Sequence, residues 1–332
     1  MRRNGLDGWP RWRTEIEVAL GVPFLPALAF VVFALLLTWP AGAFAQCWGQ
    51  QAAQEKFANP QLLAETQEAA EHLGDAEQRL VDLRLAPDPQ GREAYGKGHI
   101  PGAVYLAWGE LDDVAANRQG FPIPTAKAEA LFGKLGIDET VQVVAYDDAG
   151  GLLAARLVYV LHFFGHTKAS VLNGGLTKWT KEGRPLTTDE PKVPPRKFVA
   201  RPNPDLIVTA DWLKQNPKGK SFVLVDSRTP EEYVGVSEDP DIKGKGHIPG
   251  AAHLDWASTI TEEKTFKTPQ ELKTLFAGTG AKPGVPVITY CRTGVRAAHN
   301  WLVAKLLGYA DVRNYDGSWI DWGNDPTAPV ER

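Results

Sequence analysis

The octapeptide GKGHIPGA stands at Gly96–Ala103 and again at Gly244–Ala251, 148 positions later (244 − 96). Eight identical residues in one order mark a duplicated unit, and further self-similarity surrounds them. RLVDLR (Arg79–Arg84) parallels VLVDSR (Val223–Arg228), VVAYDD (Val143–Asp148) parallels VITYCR (Val287–Arg292), and LNGGLTKW (Leu172–Trp179) parallels YDGSWIDW (Tyr315–Trp322). The motifs keep their order in both copies, so the chain reads as a tandem duplication with small loop insertions. Between the copies lies Gly183–Asp205, whose six prolines suit an extended linker and forbid a helix.

Each copy alternates short β-branched runs with helical patterns. In the second, 222–225, 285–290 and 312–315 read as buried strands, and 270–276 and 295–307 as helices. Strands alternating with helices predict an α/β fold, two domains each with a mainly parallel sheet flanked by helices. Gly165 and Gly308 each follow a helix where a left-handed C-terminal cap is expected.

At 332 residues and 43% hydrophobic, the chain holds material for two domains with real cores. Its 36 basic and 40 acidic residues, net −4, form no block of like charge, which argues against a nucleic-acid partner. Any anion chemistry must be local. The N-terminus carries Arg2, Arg3, Arg11 and Arg13, then the apolar run Phe24–Leu37, then Ala43-Phe44-Ala45. That order predicts a signal peptide over 1–45 and an exported, periplasmic protein; the alternative is a membrane anchor over 22–39. The domain boundaries expected are 46–182, linker 183–205, and 206–332.

Two cysteines, Cys47 and Cys291, are too far apart in sequence to suggest a disulfide framework or a CxxC-type metal site. Cys291 ends a strand, and a helix begins at Gly294 or Val295, so the thiol lies at the carboxyl end of a strand and the amino end of a helix. Ligands of open α/β sheets bind there. Free backbone N–H groups and the helix dipole favour an anion at that place, and Arg292 and Arg296 add charge. Lowering a thiol pKa by two units needs about 2.7 kcal/mol of differential stabilisation, within reach of such a site. Cys291 is the candidate nucleophile, although a lone cysteine is more commonly inert and buried.

The duplication is an internal control. His99 and His247 tempt one toward a Cys/His pair, but both lie in the repeated octapeptide and the first copy has no cysteine. They read as structural turn residues, as do Asp82, Arg84, Asp226 and Arg228. Asp147 stands at the Cys291 position, followed by DAGGLL in place of RTGVRA.

With two copies of LVDxR and GHIPGA, the loop CRTGVR and DGSWIDW, residues 60–330 resemble the tandem-domain rhodaneses, the thiosulfate sulfurtransferases. The resemblance implies a catalytic second domain, an inactive first domain packed against it, and a ping-pong reaction without metal or organic cofactor. Cys291 would take the outer sulfur of thiosulfate as a persulfide, release sulfite, and pass the sulfur to cyanide or to a small or protein thiol acceptor. The loop N–H groups of Arg292, Thr293, Gly294, Val295 and Arg296 would cradle the anionic sulfur. The side chains of Arg292 and Arg296 would hold the sulfonate, with Lys243 and Lys245 as weaker candidates.

Three rivals stand beside that reading. Dual-specificity phosphatases carry a Cys-x5-Arg loop, but here the sixth position is Ala297. The 3-mercaptopyruvate sulfurtransferases place arginines after DSR to hold a keto acid, where this chain has Glu231 and Glu232. A non-catalytic rhodanese-like binding or regulatory module is the third; the cysteine and both arginines of the second copy argue against it.

Overall fold

The computed structural model describes residues 55–113, 118–217 and 221–332, with side chains left undescribed across 113–121. The leader or anchor expected over 1–45, and Cys47, lie outside the described residues.

In the first copy, strands β1 (Leu63–Ala64), β2 (Gln78–Asp82), β3 (Val104–Tyr105), β6 (Gln142–Tyr146) and β7 (Ala169–Leu172) form one parallel sheet in the order β1-β7-β6-β2-β3. Helices α1 (Thr66–Glu71), α2 (Gln90–Lys97), α3 (Thr125–Lys134), α4 (Leu152–Phe163) and α5 (Gly175–Lys181) flank it, and β4 (Asp112–Asp113) pairs with β5 (Arg118–Pro122) as a separate hairpin. The second copy repeats the plan. Strands β8 (Val223–Asp226), β9 (Ala252–His253), β10 (Val287–Tyr290) and β11 (Val312–Asn314) run parallel in the order β11-β10-β8-β9. Its outer edge strand is reduced to one bridge, Ile207 with Asn314. The helices are α6 (Ala210–Gln215), α7 (Pro230–Tyr233), α8 (Pro269–Gly278), α9 (Val295–Leu306) and α10 (Ser318–Trp322).

The central strands are buried on both faces, as parallel strands covered by helices must be, which is why their sequences are near-continuous apolar runs. All four residues of β10 are buried. Thr268 begins α8 with a capping box, its side chain and that of Glu271 each satisfying a backbone N–H. Gly165 and Gly308 close α4 and α9 with φ of 85° and 90°, as the caps require. The proline-rich segment is extended and lies against the first domain: Arg196 N–H donates to Gly133 O, Arg201 N–H to Phe164 O, and Phe198 is buried. Only Pro204–Leu206, at its end, turns into a short 3-10 helix.

The two sheets share one hydrophobic core through α4 and α9, which pack on each other; Tyr159 meets Trp301 edge to face at 5.2 Å. Helices α4 and α9 follow the loops at Asp147 and Cys291, so that core fixes both loops at the domain interface.

Candidate active site

In the second domain the chain passes from β8 to β9 on one side, crosses back to β10, and continues to β11 on the other. The carboxyl ends of β8 and β10 therefore bound a crevice at a topological switch point. Ser227 and Arg228 follow β8 there, and Cys291 follows β10.

Cys291 is almost fully buried. Its amide donates to Ser318 Oγ at 3.1 Å, its carbonyl accepts from Trp319 N–H at 2.8 Å, and the Arg292 carbonyl accepts from Ile320 N–H at 3.0 Å. Ser318 has φ 54°, a left-handed conformation uncommon for a non-glycine residue. Its hydroxyl both accepts the Cys291 amide and donates to Tyr315 O at 2.8 Å, which offsets the strain. Gly294, φ 82°, is the N-cap of α9 and no side chain caps the helix; the first amides of a helix have no intrahelical partner. A Cβ on Gly294 would lie 2.4 Å from Asp316 Oδ1, so only glycine admits that carboxylate.

Both arginines are engaged by carboxylates, which nothing in the CRTGVR motif foretells. Arg296 forms a fork with Glu232, Nη1 to Oε2 at 2.5 Å and Nη2 to Oε1 at 2.8 Å. Burial opposes the charge on Arg296, but the Glu232 bonds and the nearby Cys291 sulfur raise its pKa above the ordinary value. Burial would likewise raise Glu232, yet Arg296 holds it below the usual carboxylate range. Arg292 donates through Nε to Asp239 at 2.6 Å and through Nη2 to Asp239 at 3.1 Å and Asp241 at 2.9 Å. The turn after α7 carries those two aspartates over the loop, a contact between residues about fifty positions apart that spacing alone does not reveal. Lys245 lines a cleft of about 70 Å³ with Arg228, Glu232, Asp239 and Trp319, and its ammonium faces Glu238 at 3.6 Å. Lys243 is exposed and is not among the residues lining that cleft.

The repeated motif residues do the same work in both copies. Arg84 and Arg228 each pair with the aspartate two positions earlier and donate to Gly98 O and Gly246 O, both at 2.8 Å. His99 and His247 stack on Tyr95 and Tyr233 with ring centroids 3.8 Å apart and bond to the same tyrosines' carbonyls at 3.0 Å. Arg228 also lies 4.5 Å from the Trp319 ring. Among the described residues no group of three or more histidines, cysteines or carboxylates is disposed to hold a metal.

The first copy shows what the loop geometry binds. Asp147 Oδ1 accepts from the amides of Ala149 (2.9 Å) and Gly151 (2.8 Å), and Oδ2 from Leu153 (2.7 Å) and Ala154 (3.0 Å). A strand-end loop and a helix start here enclose a carboxyl group, the side chain at the Cys291 position; burial pushes its pKa up, and the four amides act against that shift.

A parallel sheet with a buried cysteine on an anion-cradling loop, present twice but with one thiol, defines a class of sulfur-handling α/β proteins. Residues 65–182 and 209–325 each match the rhodanese-like domain, and the chain belongs to that family. It is 35% identical over 288 residues to the sulfur carrier protein TtuD of Thermus thermophilus, covering 83% of this chain and 98% of that one. It is 37% identical over 237 residues to the thiosulfate sulfurtransferase of Cricetulus griseus, covering 70% and 80%. Among solved structures it is similar to a persulfide-bearing form of EanB with ergothioneine, with a TM-score of 0.76 and 26% identity, covering 83% of this chain and 72% of that one. Its chemistry is that of the sulfurtransferase superfamily, the transfer of sulfur.

Proposed function

We propose that the protein is a thiosulfate sulfurtransferase whose second domain is catalytic and whose first is not. Cys291 thiolate attacks the outer sulfur of thiosulfate; the sulfur–sulfur bond breaks and sulfite leaves with the electron pair. Cyanide or a thiolate then attacks the terminal sulfur of the Cys291 persulfide, and the cysteine thiolate is restored. The steps follow thiol–disulfide exchange and need no separate general base.

The observation that carries this reading is the exchange of Asp147 for Cys291 in one loop design. A fold that gives four amides to a carboxylate at this position suits a thiolate or persulfide there, with the amides acting as an oxyanion hole does for oxygen. Arg296 beside the sulfur adds to the same preference. A sulfonate reaching Arg292 or Arg296 competes with Asp239, Asp241 and Glu232, so the guanidiniums serve the donor by exchanging partners. The names of relatives support both kinds of acceptor: a sulfur carrier protein suggests a protein thiol, the thiosulfate sulfurtransferases a small one.

Thiosulfate should add one sulfur to the Cys291 peptide by mass spectrometry, and cyanide should remove it. Steady-state kcat/KM with cyanide as common acceptor should be higher for thiosulfate than for 3-mercaptopyruvate. A tenfold preference for mercaptopyruvate would reverse the donor assignment, and an unmodified Cys291 in a protein that still forms thiocyanate would remove the persulfide.

A further inference from the structure

Helix α4 of the first domain carries a charge into the second. Arg156, 1% exposed, donates through Nη1 to Asp316 Oδ1 at 2.6 Å and through Nη2 to Asp316 Oδ2 at 3.2 Å. The same Nη2 reaches Asp112 Oδ1 at 3.2 Å. Asp316 is fully buried between β11 and α10, and its Oδ1, the oxygen that accepts from Arg156 Nη1, also lies against Gly294 of the cysteine loop. Asn314 Nδ2 bridges Asp316 Oδ1, at 3.0 Å, to Gly294 O, at 3.1 Å. The same carboxylate oxygen fills the place that a side chain on Gly294 would need. Two and three residues on, Ser318 and Trp319 hold the amide and carbonyl of Cys291 itself. The route from Arg156 to the sulfur is therefore a run of direct contacts: guanidinium, carboxylate, glycine cap, cysteine loop.

We propose that Arg156 is a positioning residue for the Cys291 reaction, holding the Asp316 carboxylate against Gly294 so that the amides at the start of α9 stay aimed at the sulfur. The inference rests on the reading of Cys291 as nucleophile. It gives the first domain a part in the second domain's chemistry although its own loop holds an aspartate. Two physical effects act together. A buried carboxylate without its guanidinium is costly and must move, protonate or draw in water, and each of these releases the glycine cap. A carboxylate left charged beside the loop would also oppose a thiolate there.

The charged and titratable groups around this chain of contacts come from several elements. Asp316 faces Arg156 and Tyr159 of α4 and Asp112 of the hairpin. Arg296 of α9 lies near Cys291 and is paired with Glu232 of α7. Burial pushes the Asp316 carboxyl up to about 6 despite Arg156, so the contact is sensitive to losing that guanidinium.

The test is Arg156→Met in the full chain. Alkylation of Cys291 by iodoacetamide, followed as the Cys291 peptide by mass spectrometry across pH, reads the thiolate without any donor. The midpoint is expected to rise by about one pH unit, and kcat for thiosulfate and cyanide to fall about tenfold, with KM changed less than threefold. Arg156→Lys, which keeps the charge but not the fork, should fall between. Should Arg156→Met fail to fold, Arg156→Met with Asp316→Asn leaves no carboxylate of that pair unmatched and should still show the shifted midpoint. A folded single or double variant with the wild-type midpoint and kcat would overturn the proposal. If the wild type alkylates at Cys291 but transfers no sulfur, the function reading fails and the midpoint shift still decides the role of Arg156.

Discussion

The loops after β6 and β10 are one design put to two uses. Each leaves a central strand, turns through a left-handed glycine and starts a long buried helix at the domain interface; Gly151 and Gly294 have φ of 87° and 82°. The first has three residues between Asp147 and its glycine cap, the second only two between Cys291 and its cap. In the first the occupant is permanent and internal, because the Asp147 carboxyl accepts from four amides by itself, while its burial pushes its pKa up. In the second the side chain ends one atom sooner, in sulfur, and on the function proposed above the amides are left for the negative charge that the sulfur acquires. The difference teaches that the amide cradle belongs to the fold, and, on the function proposed above, that chemistry comes from leaving it unfilled.

The largest effect is expected from moving the thiol. Cys291→Ser should keep the fold and lower sulfur transfer more than about a thousandfold, since no other cysteine lies in the rhodanese-like segments 65–182 and 209–325. Adding Asp147→Cys should not restore it. In the first copy the positions of Arg292 and Arg296 are held by Asp148 and Leu153, and Asp148 is already bonded to the amide of Leu85. Thiocyanate formation by the double variant at more than a few per cent of the wild-type rate would show that a thiol on the fold alone suffices.

A smaller effect separates the two glycine caps. An alanine at 294 meets both the left-handed backbone and the Asp316 carboxylate, with the Asp316 backbone oxygen only 2.9 Å away. An alanine at 151 meets the same backbone conformation but only ring and methyl carbons at 3.3 Å, from Phe266 and Val171. Gly294→Ala should therefore cost about 2–3 kcal/mol and reduce sulfur transfer at least tenfold, while Gly151→Ala should cost about 1 kcal/mol and leave turnover close to wild type. Urea unfolding and steady-state assays of the pair measure both. Equal loss of activity in the two would mean that the caps matter through general stability alone.

How far this arrangement is legible in the sequence depends on the range of the contact. The duplication, the parallel sheets, the caps at Gly165 and Gly308, and the setting of Cys291 between a strand and a helix all follow from local pattern. His99, His247, Asp82 and Asp226 make the same contacts in both copies, as their place in the repeated motifs leads one to expect. The partners of Arg292 and Arg296 do not follow: Asp239, Asp241 and Glu232 are brought in by the turn of α7, and an isolated acidic residue in sequence carries no sign of what it faces. DGSWIDW is visible as a motif, but its use of Ser318 and Asp316 to hold the cysteine loop requires the β11–α10 turn to be folded. Arg156 lies in an apolar helical run, where a lone arginine signals a buried partner without naming it.

The smallest effect tests the interface from the other side. By helix position, Arg156 of α4 corresponds to His299 of α9 (both fifth in their helices), and each crosses toward the opposite loop. His299 Nε2 lies 3.3 Å from Gly150 O, Nδ1 lies 3.4 Å from Thr259 Oγ1, and the ring stacks on Phe266 at 4.9 Å. Burial pushes its pKa down to about 4, so it is neutral where Arg156 is charged. The unfolded chain, with a histidine pKa of about 6.5, takes up the proton first, and stability is lost as pH falls from about 6.5 toward 4. His299 alone accounts for on the order of 2–3 kcal/mol of that loss, and His162, also pushed by burial to about 4, for a similar share. Asp316, whose folded pKa is raised, acts in the opposite sense over part of the same range, since the folded state then binds the extra proton. His299→Gln retains a donor for Gly150 O and removes the titration. The expected outcome is a shallower fall in urea stability between pH 6.5 and 4.5 with little change at pH 7.5; superimposable slopes would mean that His299 charges in place and that the neutral contact to the Asp147 loop is not what holds it.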